Sequence, residues 1–156
     1  MTPPNAGRYA HLPFDPTDRA SYAFWSTDVI RYGDEDEQGH VNNAVVSTFC
    51  ETGRVAFMRA ARPPGDTGRV NWVVARVTID FLDEMHFPGT VEIGTRLVEI
   101  RRSSMTLVQG LFHAGACRAV SEAVAVRFDP VGRGALPIDE ALRERLAAVG
   151  RNSSAI

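Results

Sequence analysis

Between Ala44 and Ala60 the residues Val46, Phe49, Cys50, Gly53, Ala56, Phe57 and Ala60 recur at three- and four-residue steps, the spacing of one face of a helix. Asn42 or Asn43 stands where a cap is needed, Arg59 and Arg62 sit where cations oppose the helix dipole, and Pro63-Pro64-Gly65 stops the run. A helix of about four turns that is apolar on most sides has to be covered, and this requirement constrains the rest of the chain. Beyond Pro64 the chain has mostly the other periodicity. Val77, Ile79 and Phe81 alternate with Thr78 and Asp80, and Val91, Ile93, Thr95 and Leu97 alternate with Glu92 and Arg96. Met105 to Phe112 and Val120 to Phe128 add two further strands, the last with Val124, Val126 and Phe128 on one face.

Before the helix, Phe24 to Tyr32 is rich in aromatic and β-branched residues and predicts a first strand. Pro88-Gly89, Arg102-Ser103-Ser104 and Ala114-Gly115 punctuate the later strands, and Asp129 to Gly134 closes them. Pro137 then opens a short amphipathic helix with Ile138, Leu142, Leu146 and Val149 on one side. The order is strand, long helix, four strands, terminal helix. It predicts an α+β fold in which a curved antiparallel sheet wraps a long central helix. A chain of 156 residues is enough for one domain and too short for two of ordinary size. The expected division is an irregular lead-in over 1–21, a single domain over 22–150 and a frayed tail over 151–156.

Charge and cysteine content narrow the function. A net charge of -2 with acids and bases interleaved carries no footprint for nucleic acid. Two distant cysteines, Cys50 and Cys117, without a secretory leader predict a reduced cytoplasmic setting. No apolar run is long enough to span a bilayer, since Val70 to Phe81 is interrupted by Arg76 and Asp80, so no membrane partner is expected.

The chemistry is concentrated between the first strand and the helix, in Tyr32-Gly33-Asp34-Glu35-Asp36-Glu37-Gln38-Gly39-His40-Val41-Asn42-Asn43. Asp34-x-Asp36-x-Gln38-Gly39 imitates half of a calcium loop, but the twelfth position, which should hold a bidentate Glu, is Val45. Ser47, His40 and Asp36 do not make a serine triad, because Ser47 lies inside the helix and no nucleophile elbow surrounds it. The four histidines and two cysteines show no metal-ligand spacing. A carboxylate before a helix N-terminus is different: it can serve as base or nucleophile toward a carbonyl whose oxyanion the unpaired N–H groups hold. Its bland alternative is a cap of loop or helix.

The stretch from Tyr32 to Ala44, with Glu51 and Arg54 downstream, resembles the signature of the hotdog-fold acyl-CoA thioesterases of the 4-hydroxybenzoyl-CoA thioesterase type. Val73 to Phe81, Pro88 to Arg96 and Ser103-Ser104-Met105 come in the family's order, so the resemblance covers roughly residues 23 to 148. It implies the hotdog fold, hydrolysis of an acyl-CoA without metal or cofactor, and a homodimer or homotetramer with sites at the subunit interface. It also implies that Asp36 is the catalytic carboxylate, that the Asn43 backbone N–H is the oxyanion donor, and that Gly39 permits the turn between them. On the substrate side, His40 either contacts substrate or braces the loop, and Arg101, Arg102, Ser103 and Ser104 meet the CoA phosphates or form a solvated turn. Val46 stands where the family often has a Tyr lining the acyl pocket, which leaves the acyl preference open. Leu82 to Phe87 replaces a simpler turn and forms either a pocket rim or a surface loop. The alternatives to hydrolysis are a non-catalytic acyl-CoA-binding module and another acyl-thioester enzyme such as an enoyl hydratase.

Overall fold

The computed structural model describes residues 7–66 and 71–151. Its elements are strand β1 (Phe24–Ile30), helix α1 (Asn43–Ala60), strands β2 (Trp72–Phe81), β3 (Gly89–Ile100), β4 (Ser104–His113), β5 (Ala116–Asp129) and β6 (Gly134–Ala135), and helix α2 (Glu140–Val149). The sheet runs β1-β3-β4-β5-β2, every pair antiparallel, with β6 attached to β5. It is curled into a half-barrel against α1. This is the hotdog arrangement: a helix apolar on most sides is covered by a sheet that twists around it.

Local chemistry sets the ends of both helices. Asn42 caps α1, its Oδ1 accepting from the Ala44 N–H at 2.9 Å, and Arg59 occupies the last turn. Helix α2 begins at Glu140, later than Pro137 suggests, because Asp139 takes the cap position and accepts from the Leu142 N–H at 2.9 Å. Pro137 lies outside the helix, and its carbonyl accepts from the Arg127 guanidinium. Strand β1 also stops short, at Ile30, since Tyr32–Asp34 forms a 3-10 turn. Gly134, expected with Asp129 to close the strands, begins the two-residue strand β6.

Two apolar clusters fill the space between α1 and the sheet. Around the N-terminal half, Ile30, Val41, Val46, Phe49, Met85, Val91, Ile93 and Leu111 pack together; around the C-terminal half, Phe57, Met58, Met105, Leu107, Ile138 and Leu146 do so. On β5 the side chains turned to the helix are the small ones, Ala119, Ser121, Ala123 and Ala125, while Val124, Val126 and Phe128 share the outer face and are only half-buried. Small residues suit that place because a helix resting on a sheet needs room there. The outer face has its own cover. Tyr9, Leu12 and Phe14 of the lead-in pack on Val108, Val120 and Leu82, so this part of the irregular segment is ordered by apolar contacts that its periodicity does not announce. The expected frayed tail falls, apart from Arg151, outside the described residues, as does the start of the lead-in.

Candidate active site

Residues 34–36 and 40–42 run back to back as a miniature ladder. The Asn42 N–H donates to the Asp34 carbonyl at 2.9 Å, Glu35 and Val41 form an antiparallel bridge, and the Asp36 N–H donates to the His40 carbonyl at 3.0 Å. The turn closes with the Gly39 N–H on the Asp36 carbonyl, also at 3.0 Å. Gly39 has φ +80, a left-handed conformation that costs a side chain about 1–2 kcal/mol, so glycine is the residue that fits. Asp36 supports the turn itself: its Oδ1 accepts from the Gln38 N–H at 2.8 Å. That leaves Oδ2 for other partners, with His40 Nδ1 3.8 Å away and 28% of the Asp36 side chain exposed. The cap role and the reactive role are therefore both open to one carboxylate, each on its own oxygen.

The ladder leads directly into α1. The Ala44 N–H is taken by the Asn42 side chain and the Val45 and Val46 N–H groups by the Asn42 carbonyl, whereas the Asn43 N–H meets no acceptor among the described residues. A free first-turn donor at the positive end of an 18-residue helix suits a developing oxyanion.

Residues 84–87 hold this loop from the other side. The Val41 N–H donates to the Met85 carbonyl at 2.8 Å, the Phe87 N–H to Glu35 Oε1 at 2.9 Å, and His86 Nδ1 lies 2.9 Å from the Gly39 carbonyl. Met85 is buried and Phe87 packs edge-on against Tyr32 at 5.8 Å between ring centroids. The segment that sequence alone left as rim or surface loop is thus a clamp on the Asp36 turn. Nothing local in 82–87 signals it, because the partners of His86 and Phe87 lie 47 and 52 residues earlier in the chain.

The other expected site residues fall in different places. His40 Nε2 contacts Gln38 Oε1 at 2.9 Å and Glu84 Oε1 at 4.0 Å, inside the loop. Val46 is 2% exposed and packs in the core cluster around the N-terminal half of α1. Arg101 to Ser103 form the β3–β4 turn, with Ser104 opening β4. The turn is tied to the segment before α2 by the Ile138 N–H on the Arg102 carbonyl at 2.7 Å and to α2 itself by Arg143 Nη2 on the Arg101 carbonyl. Arg143 belongs to α2, whose Arg145 reaches the Ala61 carbonyl just beyond α1. The turn therefore lies toward the C-terminal end of α1, a helix about 27 Å long for its 18 residues, whereas the Asp36 turn precedes its N-terminus. Arg101 pairs with Glu99 at 3.0 Å, and with Ser104, Arg76 and Glu122 it lines an outer-face groove of about 290 Å³. Ser103 offers its carbonyl to the Arg127 N–H.

Beneath the middle of α1 runs a buried polar row that the strand periodicity does not single out: Thr95, Gln109 and Ser121, side by side on β3, β4 and β5. Gln109 Nε2 donates to the Cys50 carbonyl at 3.0 Å and to Thr95 Oγ1 at 3.2 Å, and its Oε1 receives Arg54 Nη1 at 3.5 Å. Burial lowers the Arg54 pKa, opposed by Cys50 and Glu51. Among the described residues no group of three or more His, Cys, Asp or Glu is placed to hold a metal ion, and no helix is long and apolar enough to cross a membrane.

Solved structures share the architecture of this chain. A thioesterase from Thermus thermophilus, solved with coenzyme A and zinc, is 28% identical with a TM-score of 0.73 over 87% of this chain and 98% of its own. A thioesterase-superfamily protein from Jannaschia sp. CCS1 is 25% identical with a TM-score of 0.74 over 98% and 95%. No curated protein matches the sequence. The model of the thioesterase-like superfamily matches residues 30–146, which take in the Asp36 turn, α1 and all of strands β2 to β5. The chain belongs to the thioesterase-like superfamily.

Proposed function

We propose that the protein hydrolyses an acyl-CoA to the free acid and CoA, with Asp36 as the reacting carboxylate. The observation that carries this reading is the division of labour at Asp36: Oδ1 is held by the Gln38 N–H while Oδ2 takes no hydrogen bond among the described residues, in a turn that leads into a helix whose first N–H meets no acceptor there. Oδ2 either takes a proton from water as it attacks the thioester carbon or attacks that carbon itself. The Asn43 N–H donates to the carbonyl oxygen as it becomes an oxyanion. In the first case the C–S bond then breaks and the thiolate takes up the proton held by Asp36. In the second it breaks to leave a mixed anhydride on Asp36, which water hydrolyses, freeing the acid and the carboxylate and supplying the proton that the thiolate takes up. A thioester is already activated, so base, oxyanion donor and orientation suffice. The coenzyme A bound by the Thermus thermophilus relative supports CoA as the carrier.

The same reading makes the working unit at least a dimer. Strand β2 is an open edge of the sheet, and Val73, Val74 and Phe81 on it are 44%, 46% and 47% exposed. Joining two such edges covers them. A second copy also provides a way to bring an Arg101–Ser104 turn within reach of Asp36, which the length of α1 prevents within one chain.

A thiol-release assay over short, long and aromatic acyl-CoAs tests the activity. Asp36→Asn keeps an oxygen for the Gln38 N–H, so the turn survives, and turnover falls by at least about a hundredfold. Undiminished hydrolysis by this variant refutes the role of Asp36, and tight binding of every member with no thiol released favours a binding module.

A further inference from the structure

We propose that His86 is a positioning residue for Asp36, acting through the Gly39 carbonyl; the inference rests on the reading of Asp36 as the reacting carboxylate. A carbonyl oxygen only accepts, so the 2.9 Å contact between His86 Nδ1 and Gly39 O assigns the proton to Nδ1. Glu84 Oε2 stands 3.3 Å from the other ring nitrogen, Nε2. The Gly39 carbonyl thus holds the Nδ1 side of the ring, and Glu84, two residues away on the same segment, stands at the other side. The backbone beside it is anchored as well, through the Met85 carbonyl on one side and the Phe87 N–H on the other.

The residue it holds is the one on which the Asp36 turn depends. Gly39 donates its N–H to the Asp36 carbonyl and adopts the left-handed conformation that brings His40 back to accept from the Asp36 N–H. Nothing fills the space beside the Gly39 Cα, where an added Cβ would meet no atom within 4 Å, so packing does not restrain this peptide. Among the described residues, the bond from His86 is the hydrogen bond that reaches the Gly39 carbonyl, alongside the backbone bonds that close the turn. Among the described residues no hydrogen bond or ion pair joins the ring to Asp36; it stands near Glu84 and, edge-on at 6.4 Å between centroids, His40. Its action is indirect, through the backbone that presents the carboxylate.

The test compares His86→Phe with His86→Asn in the full chain. The phenyl ring keeps the bulk and removes the donor, whereas the asparagine amide places an N–H close to where Nδ1 stands. His86→Phe lowers kcat about tenfold or more with KM within about twofold, since a displaced catalytic group costs rate before binding. His86→Asn restores kcat to within about threefold of the parent. On an Asp36→Asn background, His86→Phe removes nothing further, because the group it positions is gone. Amide hydrogen exchange provides a readout independent of turnover. The Asp36 and Gly39 N–H groups, which close the turn, exchange at least about tenfold faster in His86→Phe and near the parent rate in His86→Asn. An unchanged kcat, or an equal loss on both backgrounds, overturns the proposal. Should the parent hydrolyse no acyl-CoA, the reading of Asp36 fails on its own, and unaltered exchange in His86→Phe still overturns the positioning role. If His86→Phe does not fold, His86→Gln, whose amide lies nearer the Nε2 position, replaces it in every arm with the same outcomes.

Discussion

Gly53 lies in the middle of α1, where helix propensity alone says that alanine is better by about 1 kcal/mol. The structure reverses the sign. A Cβ on Gly53 would stand 2.5 Å from Gln109 Nε2, 2.5 Å from Ile93 Cγ2 and 3.2 Å from Thr95 Oγ1. None of these neighbours has free space to enter, since Gln109, Ile93 and Thr95 are all 0% exposed. Forcing a methyl group into a filled core costs about 1–3 kcal/mol. Moving the Gln109 amide also breaks its bonds to the Cys50 carbonyl and Thr95, leaving buried polar groups unpaired for about another 1–3 kcal/mol. Set against the propensity gain, Gly53→Ala destabilises by about 1–5 kcal/mol, centred near 3. With a slope of about 2 kcal/mol per molar for a protein of this size, the urea midpoint drops by about 0.5–2.5 M. Parent and variant are compared at one protein concentration, because association would move both midpoints. Gly33→Ala serves as control: an added Cβ there meets nothing within 4 Å, and the change stays within about 0.5 kcal/mol. A rise in the midpoint for Gly53→Ala would mean that α1 does not rest on the Gln109 row as described.

Light scattering at micromolar concentration gives a mass of at least two chains, and Val74→Lys, which puts a charge on the exposed β2 edge, lowers it; a parent of monomer mass removes the edge-to-edge assembly and the shared site with it. Burial pushes the Cys117 thiol from an ordinary 9.0 up to about 11. The fold thereby favours the protonated thiol, so this contribution to stability is complete below pH 9 and lost as pH rises toward 11. Cys117→Ala therefore loses less stability than the parent over that interval in pH-dependent urea unfolding, and an identical alkaline decline in the two proteins contradicts the assignment.

Much of the fold was legible because it depends on neighbours in the chain. The three- and four-residue spacing from Val46 to Ala60, the asparagines before it and the prolines after it are local signals, and α1 spans Asn43–Ala60 with Asn42 as its cap. The alternation of Val91, Ile93 and Thr95 likewise placed those residues on the buried face of β3. Where a stronger competitor stood nearby, the local reading slipped. Asp139 offers a side-chain acceptor that Pro137 lacks, and α2 starts at the later position.

Sequence by itself determined that one apolar helix had to be wrapped by antiparallel strands, and that the acids and amides of 34–43 would meet its N-terminus. Both follow from periodicity and capping, which act over a few residues. Tertiary structure alone decided which oxygen of Asp36 is left over, because that depends on where the Gln38 N–H points. It also decided that 84–87 clamps the turn and that Arg101–Ser104 lies at the opposite end of α1. The buried Gln109 row beneath Gly53 belongs with these. Apart from the Asp36–Gln38 contact, which spans two residues, each joins residues distant in the chain, and such pairings exist only once strand register and the seating of the helix on the sheet are set.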